Sequence, residues 1–454
     1  MKHRARKHFA LLLTLALLLS GFGLSALAAA EYGIGNPYEG VDWNWGQYKT
    51  QLHVHSNASD GDLSIDELVE AHYALGYDIL AITDHMTISV PWNRLPRITP
   101  LFNLSGLFGG SGRRPLSDER RAQILAGADR GDRGMMEITG SIELNGVAES
   151  HIGGFFTDYG HGLPGINRDY KTPIRKVQES GGVTLLNHVG RVTGADGSDN
   201  PRELYAPDGF WANKYARLFL DYPSLLGMDV NSKTDTETRN DRILYDAILR
   251  KVVPYGRTPW SFATSDAHGA GEFDRGWTVH LLPEKTPEAL RRSMESGTFF
   301  GVNRYARIEA GENFAGTGQT PVVDRITVDE AAGTIAIDAR YADSVTWIAD
   351  GEIIATGATL KLADHDAEIG CYVRAYLLGP GGILYVQPFT VERAGQAPEK
   401  EDVPAVSDYS DFLRVLANIA GPLVRFTPLR LVVYLLTQFD PAYDLARLTG
   451  LFGG

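Results

Sequence analysis

Cysteine is nearly absent from this chain of 454 residues; Cys371 is the only one. No intramolecular disulfide can form, so the fold must rest on its core or on metal. Basic residues are also in deficit. Lys and Arg number 43 against 56 Asp and Glu, a formal net charge of −13. So acidic a chain has no global electrostatic reason to coat nucleic acid. Beyond the N-terminus, long apolar runs are missing. Residues 429–439 are strongly apolar, but Arg425, Arg430 and Gln438 interrupt the longer stretch, which is too short to span a membrane. With 43% hydrophobic and 22% charged residues, the composition excludes a disordered tail, a collagen-like fibre and a disulfide-stapled miniprotein. The length allows a large core and at least one further domain.

The first thirty residues differ from the rest. Lys2, Arg4, Arg6 and Lys7 precede an apolar run over 9–19, and Ala26-Leu27-Ala28 offers small residues for cleavage. This pattern predicts a secretory signal peptide over 1–30, with an uncleaved N-terminal anchor as the alternative. Absence of a cysteine after the run excludes a lipoprotein anchor. Loss of the four basic residues would leave a net charge of −17, and the expected location is secreted or periplasmic.

From residue 49 to 282, short apolar runs alternate with helix-period stretches. Strands are expected over 52–55, 79–83, 135–143, 151–156, 183–187, 226–230, 261–265 and 278–282. Ser64 with Glu67 forms a capping-box signature, and Thr172-Pro173 and Thr286-Pro287 read as helix starts. Repeated βα units of this kind predict an α/β fold with a parallel sheet or barrel over 31–310. Residues 92–134, rich in Gly, Arg and Pro, break that rhythm; they read as an insertion or lid with one helix near 117–128. Period-two alternation over 322–392 predicts a small β-sandwich, assigned to 311–393. A charged linker over 394–408 and a helical tail over 409–454 follow. LFNLSGLFGG at 101–110 and LARLTGLFGG at 445–454 echo each other, through chance or a shared docking role. For the tail, the expectation is self-association or contact with the cell envelope.

Chemistry concentrates at the expected strand ends. In His53-Val54-His55, residues i and i+2 of a strand face the same side, so two imidazoles can meet one divalent ion. Asp60 lies in the turn that follows. Later strand ends supply Thr83-Asp84-His85, Glu143, His151, Asn187-His188 and Asp266-Ala267-His268. Parallel strands of a barrel present these ends on one face. Nitrogen and oxygen ligands without thiolate favour a catalytic, multinuclear site over a structural zinc site. Phosphate esters also need positive groups; Arg191 and Arg275 lie nearest the ligand ends in sequence, with Lys214, Arg217 and Arg239 weaker candidates.

The run HxHSxxSDG, then TDH, Glu, His, His and a closing DxH resembles the PHP (polymerase and histidinol phosphatase) metal-dependent hydrolases over about 51–280. The resemblance implies a distorted (β/α)7 barrel with two to three divalent ions, Mn2+, Zn2+ or Fe2+. It implies that His53, His55, Glu143 and Asp266 hold one ion. Glu143 with His151 and His188 would hold a second, and Asp60, His85 and His268 a third. His161 could compete with His151. A hydroxide bridging the ions would then be the nucleophile. Asp84, Asp266 or a metal-facing histidine such as His268 would move the proton, with Glu143 as the bridge. The leader and the β-sandwich are similar to those of the exported branch of the family. The expected function is an exported phosphoesterase acting on a small, phosphorylated ester. A carboxylic or carbamate ester hydrolase and a non-catalytic envelope binding protein are the alternatives.

Overall fold

The computed structural model describes residues 31–97, 112–145, 151–160 and 170–405. The expected signal peptide, the tail, His161 and both copies of the LFGG echo lie outside the described residues.

Chain order begins β1 (Tyr32–Gly35), β2 (Gly46–Gln51), α1 (Ile65–Ala74), β3 (Ile79–Ala81), α2 (Asp118–Ala126), β4 (Met136–Ile138), β5 (Ile142–Asn145) and β6 (His151–Phe155). It continues α3 (Lys171–Glu179), β7 (Val183–Leu186), α4 (Phe210–Asp221), β8 (Leu225–Ser232), α5 (Asp241–Val252), β9 (Trp260–Thr264), β10 (Gly276–Leu282), α6 (Pro287–Ser296) and β11 (Phe299–Asn303). This α/β half is followed by seven antiparallel strands: β12 (Val322–Asp329), β13 (Thr334–Arg340), β14 (Ser344–Ala349), β15 (Glu352–Thr356), β16 (Thr359–Lys361), β17 (Tyr372–Gly379) and β18 (Gly382–Arg393).

Two sheets curve round a common interior. One runs β2-β3-β4 in parallel; the other runs β5-β6-β7-β8-β9, antiparallel to β7 and parallel from there. Parallel bridges Val54–Ala267 and His85–Glu143, just past the ends of β2 and β3, join the first sheet to β9 and β5, the edge strands of the other. Leu52, Ile79, Ile138, Leu185, Leu226 and Phe262 fill one buried apolar cluster, each on or beside a strand of those sheets. The ligand-bearing positions sit farther along the same strands.

Local chemistry accounts for the boundaries. Ser64 and Glu67 make the expected capping box at α1, and Thr286 caps α6 with Pro287 in its first turn. Ser117 caps α2, the helix expected in the 92–134 insertion. The single strand expected over 135–143 is instead two strands. Gly140 breaks it at φ +71, where a Cβ would lie 2.9 Å from the Thr157 carbonyl oxygen. The break moves the chain from one sheet to the other before it reaches Glu143.

The C-terminal strands do not stand apart from these sheets. β14, β15, β17 and β18 continue the sheet of β2 through β11 and β10, with Gly301 opposite Tyr385. β12, β13 and β16 form a separate three-stranded sheet, and Ile335, Ile337, Trp347, Val373 and Leu377 pack in one core cluster between the two. β1 lies against β18, with Tyr32 opposite Arg393. Among the described residues, no helix is long and apolar enough to cross a membrane.

Candidate metal centre

The site begins where β2 ends. Residues 52–55 continue its line, with the His55 amide donating to Ala267 O (2.9 Å) and the Thr83 amide to Val54 O (2.9 Å). His53 and His55 therefore face one side, both buried, with Nε2 atoms 3.2 Å apart. The chain then turns through 56–61. The Ser59 and Gly61 amides both donate to Ser56 O, and a Cβ at Gly61 would collide with the His55 carbonyl at 2.3 Å. This tight turn delivers Asp60, whose side chain is 44% exposed, to His55 (3.7 Å), His85 (3.3 Å) and His268 (3.4 Å).

Glu143 is fully buried among imidazoles. Its Oε1 lies 3.1 Å from His53, 3.1 Å from His151 and 3.5 Å from His188. Its Oε2 lies 3.4 Å from His55 and 2.8 Å from His85. The Asn187 amide donates to Oε1 at 2.8 Å and fixes the carboxylate plane. Asp266 divides its oxygens. Oδ1 faces His53 (3.3 Å) and His55 (3.2 Å), whereas Oδ2 faces the Lys233 ammonium (2.8 Å) and His188 (3.6 Å). His188 and Asp266 both hold positive φ, 27° and 42°, strained conformations of the kind that concentrate at functional sites.

The electrostatics follow from burial and crowding. Burial opposes the charge on Glu143, but His151, His53 and His85 outweigh it and hold the carboxyl well below its usual range. Asp266 is likewise held low against its burial, chiefly by His53. Burial works against the His53 imidazolium, yet Glu143 and Asp266 push its pKa up to about 10. His55 goes the other way, down to about 3, through burial and then the His85 charge.

Three ligand groupings emerge, each with donor atoms within 4.8 Å of one another: His55, Asp60, His85 and His268; His53, His55 and Asp266; and His53, Glu143 and His188. Glu143 Oε2 and Asp266 Oδ1 are buried and carry no hydrogen bond. Buried carboxylate oxygens without donors, beside imidazole nitrogens, fit divalent cations of borderline hardness. The grouping departs from the expected one in four respects. His55 joins Asp60, His85 and His268; Glu143 leaves the set of His53, His55 and Asp266; His53 joins Glu143 and His188; and His151 lies outside the three sets. His151 still places Nδ1 on Glu143 and meets the Asn145 amide at 2.8 Å.

The remaining expected site residues have other partners. Asp84, expected to move a proton, is held by the neighbouring turn. Its carboxylate accepts from the Ser56 amide (2.7 Å), the Ser56 hydroxyl (2.6 Å) and the Ser59 hydroxyl (2.7 Å), so it anchors the 56–61 turn. Burial raises its pKa to about 6, against those donors. Arg275 is likewise not a free clamp; it pairs with Glu272 (2.9 Å), whose other oxygen accepts the His268 amide at 2.8 Å. Arg191 is exposed on the short helical turn after His188. Lys214 lies over the Tyr170 and Trp211 rings, Arg217 pairs with Asp221 and Arg239 with Glu312.

Lys233 was not expected at the site. The signal was available, since it directly follows Ser232 at the end of β8, the position at which other strands carry their ligands. Asp229, earlier in β8, accepts from Thr264 (2.7 Å) and lies 3.8 Å from His53 Nδ1.

Residues 51–124 match the family model of the PHP domain. Over 41 residues the chain is 56% identical to the 5'-3' exoribonuclease of Haemophilus influenzae; that stretch is 9% of this chain and 15% of the relative. Among solved structures, it is similar to a two-domain protein from Bacteroides vulgatus containing a predicted PHP-like metal-dependent phosphoesterase. That likeness has a TM-score of 0.40 at 15% identity and covers 79% of this chain and 89% of that one. It is also similar to the lesion-specific endonuclease of Pyrococcus furiosus (TM-score 0.33, 12% identity, 55% and 56% covered).

Proposed function

Starting from a chain that carries a PHP domain, we propose that the protein is an exported metal-dependent phosphoesterase. The observation that carries this reading is Glu143, buried with one oxygen facing His53 and His188 and the other facing His55 and His85. A carboxylate so placed can serve two ions at once. Two or three divalent ions, of the Mn2+, Zn2+ or Fe2+ type, would be held by the three groupings around His53, His55 and Glu143. When bound, such ions supply Lewis acidity toward the ester and a water acidified to near neutral pH.

The chain's own residues do the rest. Asn187 holds Glu143 in plane. Asp84 fixes the turn that carries Asp60. Glu272, steadied by Arg275, ties down the backbone at His268. His268 stands at the open rim of the site, where a leaving group would depart.

Export is supported by the basic and apolar N-terminal segment with its Ala26-Leu27-Ala28 site. N-terminal sequencing of the secreted material should begin near Ala29 to Glu31; a start at Met1 rejects cleavage. The reaction is tested with p-nitrophenyl phosphate, bis-p-nitrophenyl phosphate and an aryl acetate in the presence of Mn2+. Turnover of either phosphate ester is expected. Turnover of the acetate alone moves the assignment to carboxylic esters, and no turnover of any substrate leaves a binding protein.

A further inference from the structure

We propose that Lys233 is the substrate-recognition residue of this site, and that it selects a phosphomonoester by binding the terminal phosphate dianion. The inference rests on the phosphoesterase reading and adds the substrate class.

Lys233 Nζ lies 2.8 Å from Asp266 Oδ2 and 3.7 Å from Glu237, with its side chain 23% exposed. It is thus on the ligand shell and open to an incoming molecule. Asp266 directs its other oxygen to His53 and His55, where that oxygen carries no hydrogen bond. One carboxylate therefore separates an ammonium from a place suited to a divalent ion. The single negative charge of Asp266 does not balance an ammonium together with a divalent ion, so net positive charge would remain there. An anion lying against both offsets that charge, and a phosphate dianion has oxygens enough to reach both at once.

The fold holds Lys233 in that position. Its backbone sits at φ +51 and that of Asp235 at φ +58, conformations that surrounding contacts must enforce. Buried Asp235 accepts from both Arg242 Nη atoms (2.9 and 2.8 Å) and from the Arg307 amide (2.8 Å). The Ser232 amide donates to Thr238 Oγ1 (2.9 Å), and the Arg307 guanidinium donates to Thr234 O (2.7 Å). A cation on a backbone so braced loses little freedom when it binds.

The test uses full-length, Mn2+-loaded protein and the variants Lys233→Met and Lys233→Arg. Binding of inorganic phosphate is measured by calorimetry, metal content by elemental analysis, and KM on mono- and diester substrates. For Lys233→Met, phosphate affinity should fall about tenfold or more, the worth of one charge-assisted hydrogen bond. Metal content should be unchanged, KM should rise for the monoester far more than for the diester, and Lys233→Arg should recover part of the loss. Wild-type phosphate affinity in Lys233→Met overturns the proposal, as does absence of phosphate binding by the wild type. Loss of metal in both variants, or equal losses on both esters, also overturns it and makes Lys233 a positioning residue for Asp266. Failure of the wild type to turn over phosphate esters would strike the parent reading instead, while the phosphate titration still decides the role of Lys233.

Discussion

Glu143 touches histidines from four strand ends, and among the described residues no other side chain links so many of them. Glu143→Ala should therefore lose metal from more than one grouping and lower kcat/KM by about 10³ or more, the scale of losing groups that act as a unit; elemental analysis with steady-state kinetics checks both. A second residue-scale expectation lies away from the site. His72 is buried, donates through Nδ1 to Leu68 O (2.8 Å), and has its pKa lowered by burial to about 4. His280, also buried, is lowered to about 3. A depressed histidine is neutral in the folded state while the unfolded chain takes up a proton. The stability it allows is complete above about pH 6.5 and is lost as pH falls toward the folded value. For His72 the shift corresponds to about 3 kcal/mol. Urea titrations from pH 7 to pH 4 should show that loss, and His72→Phe should have a shallower slope. At this scale the cluster of histidines and carboxylates was legible in sequence because their types recur at strand ends. The partners of Asp84 were not legible, because a strand-end carboxylate can turn inward to ligands or outward to the serines of a neighbouring turn. Only the closed turn from Ser56 to Gly61 decides between them.

Among the elements, the break between β4 and β5 does most to aim the site. Gly140 adopts φ +71 with the Thr157 backbone 2.9 Å from where a Cβ would sit. Gly140→Ala should cost about 1–3 kcal/mol through backbone strain and contact, measured by urea unfolding, and should weaken metal binding by shifting Glu143. An apolar run gives no sign of such a break, and the glycine within it was the only cue. Helix starts were easier to read, because Ser64, Ser117 and Thr286 act locally on the next turn. The insertion also meets the site: Arg113 donates to Asn57 O at 2.9 Å and braces the turn that carries Asp60, while Arg120 of α2 pairs with Glu70 of α1.

For the molecule as a whole, the period-two strands were legible but their attachment was not. Strand alternation is a local signal, whereas pairing of β18 with β11 joins positions as far apart as Gly301 and Tyr385. Gln387 accepts from the Ser261 amide at 2.8 Å and donates to the Ser261 carbonyl at 2.9 Å, and the Tyr385 hydroxyl accepts from Asn231 at 3.0 Å. Arg374 and Asp246 form a buried pair at 2.6 Å between β17 and α5. A chain ending near Arg393 should keep metal and activity, with some stability lost because Glu401 no longer pairs with Arg250 and Lys251. A chain ending before Gly382 should lose both, since it strips β11 and β9 of buried partners; elemental analysis and circular dichroism of the two proteins separate the cases.

The pairing of Tyr32 with Arg393 also sets an order of events. The strand that seals the sheet is made long after the strand it pairs with at the other end. Such non-local pairing forms slowly and leaves strand edges open until it is complete. A nascent chain that has produced all the histidines of the site still lacks β18, so hydrolysis should begin only after synthesis has run well past the last ligand.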